Sequence, residues 1–275
     1  VAFHDDSFLA LPYAQLEEFA KLYKAEIKIP FAIYGVIPTY VREDKIALLV
    51  DAGMNRVRMG IQSGSENILE FYKRPTKLRR IHEATKILNN YRKYMIPPSY
   101  DIILENPIET PEDTRATLDL IYEMPRPFTL NVYALRLIPN TQLAKDVENR
   151  GFSIPPVDAG YLLNYRRTLG NILVFFITTF KVPRWLYKYL RNKVYPVHTK
   201  QTHYPILFAF VRTLYLVKRG LDHLRFMDFS ILPGKPGYIL WKIGVIRFWQ
   251  RFMLKNYNLP KAKSQIAFKE NILRN

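Results

Sequence analysis

Through the first 135 residues, short apolar runs alternate with longer stretches whose apolar positions recur at helical spacing. The runs end near Phe3, Tyr34, Ile61, Leu104 and Tyr133, and each gives way to polar residues. The intervening stretches, Tyr13–Lys24, Arg42–Ala52, Lys77–Tyr94 and Pro111–Glu123, are predicted helices. In the second, Ile46, Leu49 and Val50 form one stripe. The fourth opens on Pro111-Glu112-Asp113, a proline and two acids where free N–H groups and the helix dipole favour them. Strand–helix alternation predicts an α/β fold of parallel strands joined by crossover helices. Periodicity does not separate a barrel from an open doubly wound sheet.

The ends of these runs carry the candidate chemistry. Asn55 to Met59 reads as a short buried strand in which Arg56 and Arg58 alternate with Val57 and Met59. Met59-Gly60-Ile61-Gln62-Ser63-Gly64-Ser65-Glu66 follows, and its two glycines permit a turn and a close approach. Gln62 and Ser63 supply an amide and a hydroxyl suited to a polar small molecule, or to the tip of a tight turn. An α/β sheet presents ligand groups at such strand ends. Tyr100-Asp101-Ile102-Ile103-Leu104-Glu105-Asn106-Pro107-Ile108-Glu109-Thr110 has the same form. So do Phe128 to Ala134 with Leu135-Arg136-Leu137-Ile138-Pro139-Asn140-Thr141 after it, and the opening Val1-Ala2-Phe3-His4-Asp5-Asp6-Ser7-Phe8. Asp5 and Asp6 are adjacent on a strand and point to opposite faces, so one inward carboxylate is expected and no catalytic dyad; Asp5 is the candidate.

Taken in order, these motifs resemble the radical S-adenosylmethionine superfamily, most closely its cobalamin-binding-domain-linked branch. The resemblance covers about the first 150 residues and includes Tyr72-Lys73-Arg74. It implies a partial (β/α) barrel comprising the family's strands two to six. It also implies S-adenosylmethionine lying across the strands' carboxyl ends. Gln62 and Ser63 would then face the cofactor's ribose and amino-acid portion, and Arg74 its carboxylate. Asp101 would accept from ribose hydroxyls, while Ile103 and Ala134 would touch adenine. The family's chemistry is hydrogen abstraction by a 5′-deoxyadenosyl radical, and in this branch methyl transfer through methylcobalamin is usual. Oxidative cyclisation or rearrangement is the alternative. The chain departs from the family in one large respect: a 4Fe–4S cluster is held by three cysteines spaced C-x-x-x-C-x-x-C, and here there is no cysteine. The expectation is that the cluster ligands, and a cobalamin-binding domain, lie upstream of Val1; a cluster-free relative is the rival. Asn140 stands where the family usually has glycine, and Ile108 where it has tryptophan or glycine.

Charge changes the picture only in the second half. The 275 residues carry a net +17, yet positions 1–150 balance 20 basic against 20 acidic residues. Positions 151–275 hold 21 basic and 4 acidic residues. The break near Gly151-Phe152-Ser153-Ile154-Pro155-Pro156 suggests domains 1–150 and 151–275, the latter basic, aromatic and mainly helical. Its apolar stretches, Thr168–Phe180, Tyr204–Val217 and Tyr238–Trp249, fall short of the roughly 20 residues that cross a bilayer. The third is amphipathic, with Trp241, Val245, Phe248, Trp249 and Phe252 on one side and Arg247, Arg251 and Lys255 on the other. That pattern fits a helix lying in an anionic membrane interface, hence a cytoplasmic protein peripheral to the membrane's inner face and a lipid-like substrate. A helix covering the barrel's open side is the plainer reading, and nucleic acid the lesser one. The five histidines show no zinc-type grouping, and His198 and His203 read as surface.

Overall fold

The computed structural model describes residues 1–5, 8–74, 76–152, 166–195, 203–226, 239–240 and 242–253. Asp6, Ser7, Pro75, positions 153–156, His198, Trp241, Lys255 and the side chains of Arg247 and Arg251 therefore lie outside the described residues.

Five strands form one parallel sheet in sequential order: β1 (Ala2–His4), β2 (Phe31–Val36), β3 (Met54–Gln62), β4 (Ser99–Leu104) and β5 (Thr129–Ala134). Each run expected from the apolar pattern is present. Between them lie α1 (Tyr13–Leu22), α2 (Glu43–Asp51), α3 (Glu66–Phe71), α4 (Leu78–Asn90) and α5 (Pro111–Glu123). A π-helical turn, Tyr23–Ile27, extends α1.

The strand order decides what periodicity left open. Parallel neighbours in sequence order, joined by crossovers of one hand, put all their helices on one face. The burial alternates accordingly: on β4, Tyr100, Ile102 and Leu104 are buried under helices while Ser99, Asp101 and Ile103 are half-exposed. A doubly wound sheet would be covered on both faces and apolar throughout. The polar second face is that of a partial (β/α) barrel.

The described second half is helical: α6 (Gln142–Glu148), α7 (Leu169–Thr179), α8 (Arg184–Arg191), α9 (Pro205–Arg225) and α10 (Val245–Met253), where α6 still precedes residue 150. The uncharged stretch at α7 is buried nearly all round, from Gly170 to Thr178, as a core helix of that length should be. It packs on α5 and α9. The last of these crosses to β5, where Tyr215 Oη donates to the Leu130 carbonyl and Arg219 Nη1 reaches the same oxygen at 3.2 Å. These contacts occupy a carbonyl on the sheet's outer strand, which an open edge leaves unpaired. One apolar cluster runs from Phe8 through Leu130 to Phe175, Phe208 and Tyr215, so the change of charge near residue 150 falls inside a continuous core. Each fully buried Leu or Ile in it contributes about 1.5–3 kcal/mol.

Candidate functional site

β3 runs beyond Met59 to end, as the apolar run does, near Ile61. The strand continues through Gly60 and Ile61, and the chain leaves the extended region at Gln62, whose φ is 73°. On β4 the same event occurs at Glu105, φ 63°. The ends of two neighbouring strands are thus each marked by a left-handed residue. Asn140, after β5, also sits at φ 67°, where asparagine substitutes for glycine at little cost.

Gly64 serves packing. A Cβ on Gly64 would lie 2.5 Å from the Ala116 carbonyl oxygen and 2.6 Å from Thr117 Cα, so the close approach is to the backbone of α5. Ser63 is fully buried; its hydroxyl lies 3.1 Å from Thr117 Oγ1, which also accepts from the Gly64 N–H at 3.0 Å. Ser65 caps α3 and donates to Asp113, while Thr110 and Asp113 form a reciprocal capping box at the start of α5. Burial opposes the Asp113 charge, but these hydrogen bonds from Ser65 and Thr110 hold its carboxyl below the ordinary range. The Ser63 hydroxyl is therefore engaged in stitching the turn to α5.

Three of the expected residues, Gln62, Asp101 and Ile103, line the half-exposed face. Gly60 lies opposite Asp101 and Gln62 opposite Ile102 in the parallel register, and Leu104 opposite Ala134. Adjacent strands are about 4.8 Å apart; Gln62, Ile103 and Ala134 lie at the carboxyl ends of three neighbouring strands, Asp101 lies two residues earlier on β4, and Ala134, opposite buried Leu104, is on the helix-covered side. A Cβ on Gly60 would meet Gln62 Nε2 at 2.7 Å, which places the Gln62 amide back over Gly60 on this face. Asp101 is already held: Arg58 Nε donates to both its oxygens at 2.9 Å and Asn131 Nδ2 at 2.8 Å, while Arg58 Nη2 donates to Tyr133 Oη. Burial works against the Arg58 charge, but its hydrogen bond and ion pair with Asp101 outweigh that and raise its pKa. Asp5 follows β1 directly and is exposed. Arg74 is exposed on the turn after α3. That turn is tied to the end of β4, because fully buried Asn106 donates from Nδ2 to Tyr72 Oη at 3.0 Å. The Tyr72-Lys73-Arg74 and Asn106-Pro107 motifs therefore meet in space.

Two groups escaped the sequence reading. Arg58 could have been found from its alternation with Val57 and Met59, which puts it on the face opposite the core. Glu109 is 2% exposed, and its Oε1 has no hydrogen-bond partner. Burial first, then the neighbouring charges of Asp113 and Glu105, push its carboxyl up to about 8. No local pattern marks that burial, which follows from packing between β4 and α5. Among the described residues no cluster of His, Asp and Glu is arranged to hold a metal ion.

Residues 1–121 match the family model of the Radical SAM superfamily. No curated protein matches the chain in sequence. Among solved structures, the chain is similar to coproporphyrinogen III oxidase, HemN, of Escherichia coli, at 21% identity and TM-score 0.44 over 56% of this chain and 35% of that one. Elp3 of the archaeon Methanocaldococcus infernus, lacking its first 46 residues, aligns at 18% identity and TM-score 0.44 over 80% and 54%. The cobalamin-dependent S-adenosylmethionine radical enzyme OxsB aligns at 14% identity and TM-score 0.49 over 91% and 43%. The chain thus spans from about a third to about half the length of these proteins.

Proposed function

We propose, from the match of residues 1–121 to the radical SAM superfamily model, that the carboxyl rim of β3, β4 and β5 holds S-adenosylmethionine for an enzyme acting on an unactivated carbon. The observation that carries it is that Gln62, Ile103 and Ala134 lie at the carboxyl ends of β3, β4 and β5, with Asp101 two residues before Ile103 on β4. The donor set fits an adenosyl group: a carboxylate for a sugar diol, an amide, and two small apolar side chains for the ring. Arg74, and Asp5 beside β1, complete the proposed site, with Arg74 on the carboxylate and Asp5 near the substrate. Ser63 would contribute by fixing the turn.

A 4Fe–4S cluster accompanies S-adenosylmethionine in this superfamily, and thiolate sulfur holds it. The chain has no cysteine, so its residues do not fit the cluster, whose ligands we assign to residues outside this sequence. Such a cluster, with S-adenosylmethionine bound to it, would supply the radical chemistry for removing hydrogen. The chain's share is to bind, orient and exclude water. Cobalamin-dependent methyl transfer is the proposed reaction, supported by the order of the motifs from Gln62 through Tyr72-Lys73-Arg74 to Asn106-Pro107-Ile108-Glu109-Thr110. Radical cyclisation or rearrangement is the alternative.

Binding of S-adenosylhomocysteine, measured by calorimetry on the chain, tests the site. Asp101→Asn keeps one oxygen for Arg58 and is expected to fold while losing about tenfold in affinity, the worth of a charge-assisted hydrogen bond. Asp101→Ala additionally strands a half-buried guanidinium and should lower stability by about 1–3 kcal/mol. Equal affinity in wild type and a folded Asp101→Asn removes Asp101 from the site.

A peripheral membrane contact is the second element of the proposal. In α9, Ile206 (86% exposed), Phe210, Val217, Leu221 and Leu224 make one exposed apolar stripe, while Phe208, Val211 and Tyr215 on the other side are buried. In α10, Ile246 and Gln250 are buried and Trp249 donates to the Arg225 carbonyl, leaving Phe248 and Phe252 at 74% and 78% exposure. No helix among the described residues is long and apolar enough to cross a membrane. With 21 basic residues against 4 acidic beyond position 150, an anionic leaflet is the complementary surface. The chain should sediment with anionic vesicles and not with neutral ones, retaining in high salt a fraction that Phe248→Ser with Phe252→Ser removes. Absence of sedimentation at low salt ends the membrane reading.

A further inference from the structure

Where the loop after β4 meets α5 and α7, the structure forms a cavity of about 20 Å³. Leu104, Leu118 and Val174 give it an apolar side, and Glu105 and Glu109 border it from the loop. Among its described lining residues there is no Lys, Arg or His.

Charge sets this cavity apart. Glu109 is buried, and its Oε1 has no hydrogen-bond partner. Glu105 Oε1 accepts from the Arg166 N–H at 2.7 Å and from Asn171 Nδ2 at 2.6 Å, both neutral donors. Among the described residues neither carboxylate is ion-paired with a lysine or arginine. The Thr114 hydroxyl, beside the Glu109 carboxyl, spends its proton on the Thr110 carbonyl at 3.3 Å and keeps lone pairs. A buried carboxylate in such company has two remedies, a proton or a cation. Burial and the nearby charges of Asp113 and Glu105 favour the proton until a cation arrives.

Size narrows the cation. The volume just exceeds the roughly 10–15 Å³ that one water needs, too little for an ion with its hydration shell. Magnesium keeps several waters, and calcium takes six to eight oxygens. No three-residue group of His, Asp and Glu able to hold a metal ion occurs among the described residues. Potassium and ammonium carry a single charge and are close to water in size.

We propose that this cavity binds one monovalent cation of water's size between Glu105 and Glu109. Bound there, it would join the end of β4 to α7. The site stands on these two side chains and does not depend on where S-adenosylmethionine binds.

Thermal unfolding of the 275-residue chain at pH 9, above the Glu109 titration, tests it in potassium, ammonium, sodium and choline chlorides at matched ionic strength. Relative to choline, potassium and ammonium should raise Tm by roughly 2–4 °C at about five times the dissociation constant, and sodium by less. Glu109→Gln keeps the shape and loses the charge, so its Tm should be the same in potassium and choline. Glu105→Gln keeps an oxygen for Arg166 and Asn171, and should need at least tenfold more potassium for the same shift. A larger shift in ammonium than in potassium supports an ion that donates to Glu109 Oε1; equal shifts support a spherical one. Equal wild-type Tm in potassium and choline overturns the proposal and leaves the cavity to a single water. A potassium shift retained in folded Glu109→Gln overturns it as well.

Discussion

Between pH 5 and pH 8 the folded chain is expected to lose stability as pH rises, and Glu109→Gln should remove most of that loss. Glu109 is buried with one oxygen unpartnered, and burial together with Asp113 and Glu105 raises its carboxyl to about 8. The unfolded chain releases this proton near pH 4.5. From there to about pH 8 the folded state holds a proton that the unfolded state does not, so raising pH favours unfolding. The slope from one group is about 1.4 kcal/mol per pH unit, and the whole effect is at most on the order of 4 kcal/mol, reduced if local opening hydrates the carboxylate. Glutamine has the shape of the protonated side chain and never ionises. Denaturant unfolding at a series of pH values should therefore show wild type and Glu109→Gln close together near pH 5 and well apart at pH 8, with the variant the more stable. Asp113 does not confuse the window: its depressed pKa contributes stability that is lost only as pH falls below about 4. Parallel curves for the two proteins would mean that Glu109 is hydrated and ionised in the folded chain.

Gly64→Ala is expected to be among the most damaging single-methyl changes in the sheet's rim. Its Cβ would press on three backbone atoms of α5, at 2.5, 2.6 and 2.8 Å, none of which can rotate away. Either α5 moves, or the turn does and the Thr117 hydroxyl loses Ser63 and the Gly64 N–H. Overpacking of this kind costs about 1–3 kcal/mol, and lowers Tm by roughly 2–6 °C in a chain of this size. Gly60→Ala is the matched contrast. There the nearest atom is Gln62 Nε2, at 2.7 Å on a flexible side chain, so stability should change little. What should change is ligand affinity at the rim, because the Gln62 amide is displaced. Equal Tm values for the two variants would show that α5 yields without cost.

The five strands were legible because each is a short apolar run with polar ends, and α5 because Pro111 and the acids after it mark its first turn. Helices α3, α6 and α8 were not, since each is only two turns or so long and too short for a period to declare itself. Among the candidate site residues, Gln62 could be placed at a strand end and Asp101 on a strand by their motifs, and the parallel register sets them on neighbouring strands. That Asp101 is held by Arg58 and Asn131 could not be read, because the three come from different strands, 43 and 30 positions apart.

The sequence by itself determined which segments pair as strands, where the motif-bearing turns lie and how charge divides near residue 150, since each depends on neighbours a few positions away. Tertiary structure alone decided that the sheet is wound in one direction, that Ser63 and Gly64 face α5, that Glu109 is sealed in without a full set of partners, and that Glu105 and Glu109 border one cavity. These are properties of contacts between elements far apart in the chain, where distance and burial, and not residue type, set the energy of a hydrogen bond or a charge.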